Sequence, residues 1–247
     1  MPTIGIGISH DSHRLITSIL DYRGSCRIVC YTYNDTDLHS LPCDINYSEQ
    51  PGKALVADLM AGTIDAGIRG TLPAHETLSF LKIAAGIHEI ERIVLLETAS
   101  KKRFFLAPVG IDEGWTVTQK ISLIKNGIKM MRRLGLPDRV GVLSGGRLDD
   151  VGRHPTVDTS MADALLICRV TGATFYEILI EDALPECGLI IAPDGISGNL
   201  IFRTLVFAGA GAAHGAPVVN LDKIFVDTSR VNPSYIGAIE LAATLID

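Results

Sequence analysis

Short runs of apolar residues, without the polar alternation of a half-exposed strand, set the limits on what this chain can fold into. They fall at Ile4 to Ile8, Arg27 to Tyr33, Ala66 to Ile68, Ile93 to Glu97, Phe104 to Pro108, Val140 to Leu143, Leu189 to Ala192 and Ile224 to Val226. Successive side chains of a strand point to opposite faces, so a strand that is apolar throughout is covered on both. Longer stretches between them read as helices: Gln50 to Met60, Pro73 to Ala85, Val117 to Leu134, Asp158 to Val170, Asn199 to Ala213 and Pro233 to Ile246. Strand and helix in alternation predict an α/β protein with largely parallel sheets. The clearest helix is Val117 to Leu134. Ile121, Ile124, Ile128 and Met131 recur at helical spacing, Lys120, Lys125 and Lys129 fall on other faces, and Gly135 and Pro137 mark the end.

Composition narrows the function. A net charge of -6 gives no basic footprint for nucleic acid. No apolar run is long enough to span a bilayer, and Met1-Pro2-Thr3-Ile4 does not open a secretion signal, so a cytoplasmic chain is expected. The five cysteines, Cys26, Cys30, Cys43, Cys168 and Cys187, are odd in number and scattered. Cys26 and Cys30 are the only close pair and lie in or beside a strand, so the set reads as buried thiols with no metal.

Several motifs have both a chemical and a plain reading. Gly5-Ile6-Gly7 invites a dinucleotide loop, yet its third glycine would fall at His10. His10, Asp11 and His13 could ligate a metal, but a helix cap at Asp11 or Ser12 with solvated histidines explains them as well. The loop from Ser144, Gly145, Gly146 and Arg147 to His154 follows a strand and is a candidate ligand loop, or an ordinary connection. Arg69-Gly70 puts a fixed cation at another strand end. Ala208 to Ala213 reads as a small-residue packing surface at the end of an apolar helix, and Arg203 in that helix either snorkels or faces a cleft.

The strongest candidate site lies in the last quarter. Pro193-Asp194-Gly195-Ile196-Ser197-Gly198-Asn199 looks like a ligand-binding turn at the head of a buried helix, and Thr228-Ser229-Arg230 adds hydroxyls and a permanent cation. A helix N-terminus and an arginine together suit a phosphate.

These residues resemble a known family. Leu189 to Asp194, Ser197-Gly198-Asn199, Leu205-Val206, Ala208-Gly209-Ala210 and Thr228-Ser229-Arg230 are similar, in order and spacing, to the C-terminal part of the phosphate acetyl- and butyryltransferases. Asp65 to Gly70, Thr118-Gln119-Lys120 and Arg139 to Ser144 extend the match upstream. The short chain and its Gly-Ile-Gly-Ile-Ser opening resemble the divergent branch called methanogenesis marker protein 4, or MtxX, whose name marks a methyltransferase subunit of methanogenic archaea.

The resemblance implies two α/β/α domains facing a cleft, of the isocitrate/isopropylmalate dehydrogenase-like fold: residues 1–90 with 216–247, and an inserted domain of 91–215. It implies a homodimer that moves an acyl group between phosphate and coenzyme A or another thiol, with no further cofactor. Ser229 and Arg230 would bind phosphate and stabilise charge; Arg69, Thr228, the Ser144 to Arg147 loop, Asp194, Ser197, Gly198 and Asn199 would complete the ligand site. The family's base, a carboxylate after the Ser-Arg pair, is not matched: Val231-Asn232-Pro233-Ser234-Tyr235-Ile236 stands there. Tyr235 is a weak base at neutral pH, which leaves Asp194 or Asp227. Three readings follow: a transferase for a phosphorylated or thiol-bearing small molecule, a methyltransferase subunit, and a non-catalytic phosphate-ligand binding or assembly protein.

Overall fold

The computed structural model describes residues 1–9, 12–33, 38, 41–230 and 232–246. The chain runs β1 (Thr3–Gly7), α1 (His13–Asp21), β2 (Arg27–Thr32), β3 (Asp44–Tyr47), α2 (Pro51–Ala61), β4 (Ala66–Ile68) and α3 (Ala74–Ala85). It continues through β5 (Val94–Glu97), β6 (Arg103–Ala107), α4 (Val117–Arg133), β7 (Arg139–Val142), α5 (Pro155–Thr171), β8 (Thr174–Phe175), α6 (Ile180–Ala183), β9 (Cys187–Ile191), α7 (Gly195–Phe207) and β10 (Ala212–Ala213). It ends with β11 (Ala216–Pro217), β12 (Ile224–Asp227) and α8 (Ile236–Ile246). Two compact units result, Met1–Ile90 with His214–Asp247, and Glu91–Ala213.

The first unit is built on a sheet of order β11-β12-β4-β1-β2-β3, parallel except where β11 meets β12. Residues 4–8 of and beside β1 are all buried, consecutive ones included, so helices cover both faces as the unbroken apolar run requires. Leu55, Val56 and Leu59 of α2, Leu81 of α3, Tyr31 and Phe225 make one apolar cluster. Elsewhere α8 buries Ala238, Ile239, Leu241, Ala242 and Leu245 and packs on β4 and β12.

The second unit carries a sheet of order β10-β5-β6-β9-β7-β8. Its pairs β6 with β9, β9 with β7 and β7 with β8 are parallel; β10 with β5 and β5 with β6 are antiparallel. Helix α4 begins where its capping box places it, with Thr116 and Gln119 bonding each other's backbone N–H. Lys120, off the apolar stripe of the sequence pattern, is nevertheless buried in the first turn of α4.

The largest departure is at α7. The sequence reading has a buried helix from Asn199 to Ala213, but it starts at Gly195, ends at Phe207 and leaves Leu200 60% exposed, with Ile196 and Phe207 also at the surface. Ala210 takes a φ of 54°, which halts the helix, and Ala212–Ala213 pairs with Leu96 and Glu97 at the sheet edge. Small residues there make an edge strand, where the reading had a helical packing surface. Arg203 is exposed, its guanidinium 5.3 Å from the centre of the Phe207 ring.

Candidate functional site

In the first unit the carboxyl ends of β12, β4 and β1 lie side by side, and three chain segments are tied together there. The Arg69 amide donates to Val226 O at 3.1 Å, the Thr71 amide to Gly7 O at 3.1 Å, and Thr228 Oγ1 to Gly70 O at 2.8 Å. Gly70 has φ +61°, and a Cβ on it would stand 2.0 Å from Gly7 O, so only glycine fits. Arg69 is 4% exposed and Asp227 7%; Arg69 Nε donates to Asp227 Oδ1, and Arg69 Nη1 donates to Leu72 O at 2.6 Å. The Thr228 amide also donates to Asp227 Oδ1, at 2.9 Å. Arg69 is therefore a fixed, internally bonded cation that sets the start of the Thr228-Ser229-Arg230 segment.

Ser229 is half-buried and Arg230 exposed. The Ser229 carbonyl accepts from Tyr235 Oη at 3.0 Å and from the Asn232 amide at 3.1 Å, which fixes the turn carrying the pair. Burial raises the Tyr235 phenol, while the charges of Arg69, Arg14 and Arg230 act to lower it. The charges of three arginines thus act on one buried ring. Asn232 is buried and its Oδ1 has no hydrogen-bond partner among the described residues. Ser12 Oγ donates to Ser9 O, so the Thr71 hydroxyl donates to Ser12 Oγ at 2.8 Å; the Ser9 amide donates to Thr71 Oγ1 at 2.8 Å. Ser12 stands at the N-terminus of α1 as expected, but its side chain bonds this network and caps no helix amide. His10, Asp11 and Val231 lie outside the described residues.

The second unit holds the other candidates. Asp194 accepts from the Ser197 amide at 2.8 Å and from Ser197 Oγ at 3.2 Å, so the N-terminus of α7 is capped by its own carboxylate. That negative charge opposes the expected phosphate at this helix head. The glycines of the turn serve packing: a Cβ at Gly195 would lie 1.8 Å from Gly110 O, and one at Gly198 would lie 1.9 Å from Pro108 O. Asn199 Nδ2 donates to Val109 O at 3.0 Å, locking the same two segments together. In the neighbouring loop Ser144 is 0% exposed, its hydroxyl donating to Gly146 O at 2.7 Å, and the Gly145 amide donates to Ser160 Oγ at 2.9 Å. A Cβ on Gly146 would stand 2.6 Å from Val157 Cγ1. Arg147 is exposed.

Two features escaped the sequence reading. Asp227 is the partner of Arg69 across 158 residues, a relation no local pattern carries. Lys120 lies 3.7 Å from Asp163 Oδ2 with the Asp194 charge also acting on it; burial pulls its ammonium below the ordinary value. Its only signal was a lysine in the first turn of an amphipathic helix, where the macrodipole disfavours a cation.

No protein-family model matches the chain. A protein of Methanosarcina mazei named "Putative methyltransferase mtx subunit X" is 44% identical over an alignment of 253 positions that covers 98% of this chain and 89% of that one. The chain belongs to the mtx subunit X (MtxX) family. A second member, from Methanosarcina acetivorans, is 50% identical over 203 residues, or 80% of this chain and 72% of its own length. The crystal structure of a branched-chain phosphotransacylase from Enterococcus faecalis superposes with a TM-score of 0.77 at 15% identity, covering 100% of both chains. At that identity the likeness of this MtxX-family chain to the phosphotransacylase is one of fold alone. Among the described residues no helix is long and apolar enough to cross a membrane.

Proposed function

We propose that this MtxX-family chain is a transferase that moves an acyl or related group between a phosphate and a thiol, with Ser229 and Arg230 stabilising the charge that develops. One observation carries the reading: the buried Arg69–Asp227 pair and the Thr228–Gly70 bond build a rigid platform whose outward end is Ser229-Arg230. Rigid donors around a developing oxyanion are what acyl transfer requires. Coenzyme A or another thiol is the co-substrate on this reading.

The three candidate bases are already engaged. Asp194 caps α7, Asp227 binds Arg69, and Tyr235 Oη donates to Ser229 O with its phenol raised by burial. This supports a reaction whose nucleophile arrives ionised. A phosphate oxygen attacks the carbonyl carbon of a thioester, the C–O bond forms, the C–S bond breaks and the thiol leaves as thiolate, and no protein base enters that direction. The exposed face of α7, with Ile196, Leu200 and Phe207, supports the homodimer that belongs to the same reading. Light scattering of the protein and of Leu200→Glu checks it: a dimer that the variant reduces to monomer is the expected result.

A second reading, a methyltransferase subunit linked to methanogenesis, draws on the name that the Methanosarcina relatives carry. The deciding experiment is a thermal-shift titration of the protein and of Arg230→Ala with phosphate, acetyl phosphate, coenzyme A and coenzyme M. A ligand at a hundred times its Kd adds about 2.7 kcal/mol of stability. Stabilisation by a phosphate ligand that vanishes in Arg230→Ala is expected, followed by acyl transfer from that ligand. No shift with any of them, together with methyl transfer from a labelled donor to a thiol or corrinoid acceptor, would replace the first reading with the second.

A further inference from the structure

Cys26 and Cys30 are close in sequence, but the fold brings a different two sulfurs together. Cys30 of β2 and Cys43, just ahead of β3, bring their sulfurs to 3.1 Å across 13 residues of sequence. The two differ in access: Cys30 is buried with 0% exposure, whereas Cys43 is half-buried. Cys43 borders a pocket of about 610 Å³ lined also by Tyr22, Arg23, Cys26, Arg27 and Asp44. Arg27 and Asp44 stand at the starts of β2 and β3, so the pocket lies at the amino ends of the strands, away from the Ser229-Arg230 turn at their carboxyl ends.

We propose that Cys43 and Cys30 form a reversible dithiol/disulfide couple that exchanges with small disulfides entering this pocket, Cys43 as the attacking thiol and Cys30 as the resolving one. In the first step the Cys43 thiolate attacks one sulfur of R–S–S–R. A Cys43–SR bond forms, the S–S bond breaks, and RS⁻ leaves and takes up a proton. In the second, Cys30 loses its proton and attacks Cys43 Sγ; the Cys30–Cys43 bond forms and the second RS⁻ leaves, again to be protonated. The small disulfide is reduced to two thiols and the two cysteines are oxidised.

The shared hydrogen bond sets the order of attack. It holds the Cys43 thiol below its ordinary value against burial and Asp44, and with burial it pushes Cys30 upward. The more acidic thiol is also the one with an approach from solvent, the usual arrangement of a reactive cysteine in front of its resolving partner. The charge of Arg27 is paired with Asp44, which leaves Arg23 in the lining to favour a disulfide that carries carboxylates.

The test uses the full chain, reduced and then incubated with oxidised glutathione. Native protein should lose two of its five thiols, and digestion should yield a cross-link between the peptides bearing Cys30 and Cys43 that dithiothreitol removes. Cys30→Ala should trap one glutathione on Cys43, and Cys43→Ser should leave Cys30 unmodified at the same exposure time. Because the wild-type cross-link is read without any variant, a misfolded variant does not blur the outcome. Unchanged thiol content in native protein, a cross-link through Cys26, or modification of Cys30 in folded Cys43→Ser at the wild-type rate would each overturn the proposal.

Discussion

Arg69 and Asp227, 158 residues apart in sequence, bond to each other in the interior at the carboxyl ends of two adjacent strands, β4 and β12. Removing one partner of a buried pair leaves the other charged and desolvated, at a cost of about 3–5 kcal/mol. Asp227→Asn and Arg69→Met should each lower unfolding stability by that order in urea titrations. The double variant should lose less than the sum, because it leaves no orphaned charge. Additive losses would mean that the two residues are energetically independent.

Gly198 is expected to tolerate nothing larger. A Cβ there meets the Pro108 carbonyl oxygen at 1.9 Å, so Gly198→Ala must shift backbone and should cost at least about 1–3 kcal/mol. Ile196→Ala, two residues away at an exposed site, should stay within about 0.5 kcal/mol of wild type in the monomer. Equal effects of the two would show that the turn is loosely packed.

Tyr235→Phe separates a structural phenol from a catalytic one. Loss of the bond to Ser229 O should cost about 1 kcal/mol and change turnover only a few-fold; a general base would lose about 10²–10⁴-fold. The phenol is raised in the folded state, so its neutral form contributes stability that is complete below its ordinary value of 10.0 and is lost as pH rises past it. The stability of wild type should therefore decline above that pH more than that of Tyr235→Phe.

Lys120 has the opposite sign. Burial lowers its ammonium, so the charged form carries a desolvation cost at neutral pH that disappears above its ordinary value of 10.5. Lys120→Met should be neutral or stabilising at pH 7, with any gain fading in alkaline solution. A large loss at pH 7 would mean that the contact of Lys120 with Asp163 and its attraction to the Asp194 charge outweigh its burial.

The α/β class and the parallel strands were legible because burial on both faces leaves a continuous apolar signature, as at Ile4 to Ile8 and Leu189 to Ala192. Helix α4 was legible because the periodicity of Ile121, Ile124, Ile128 and Met131 agrees with the stop at Gly135 and Pro137, while its Thr116–Gln119 capping box showed only in the structure. β3, Asp44–Tyr47, was not: an edge strand with no fully buried residue has no apolar run to show. The motif at Asp194 to Asn199 was visible as a pattern, but its reason was hidden, since Gly195, Gly198 and Asn199 are shaped by a loop about ninety residues earlier. Sequence spacing showed that Ser229 and Arg230 sit together. What holds them, Asp227 on Arg69 and Tyr235 on Ser229, depends on which strands and helices meet in space.

The position of β12 in the first sheet has a consequence for biosynthesis. On the ribosome, β1, β2, β3 and β4 emerge early, yet β4 keeps an unpaired edge until residues 214–247 appear, because β12 is its other neighbour. All strands of the second sheet are out by Ala213, so that unit can complete its hydrogen bonding while the first is still waiting. A chain released before β12 would present β4 as an open edge with a bare apolar face, the kind of nascent product that cells must shield from aggregation.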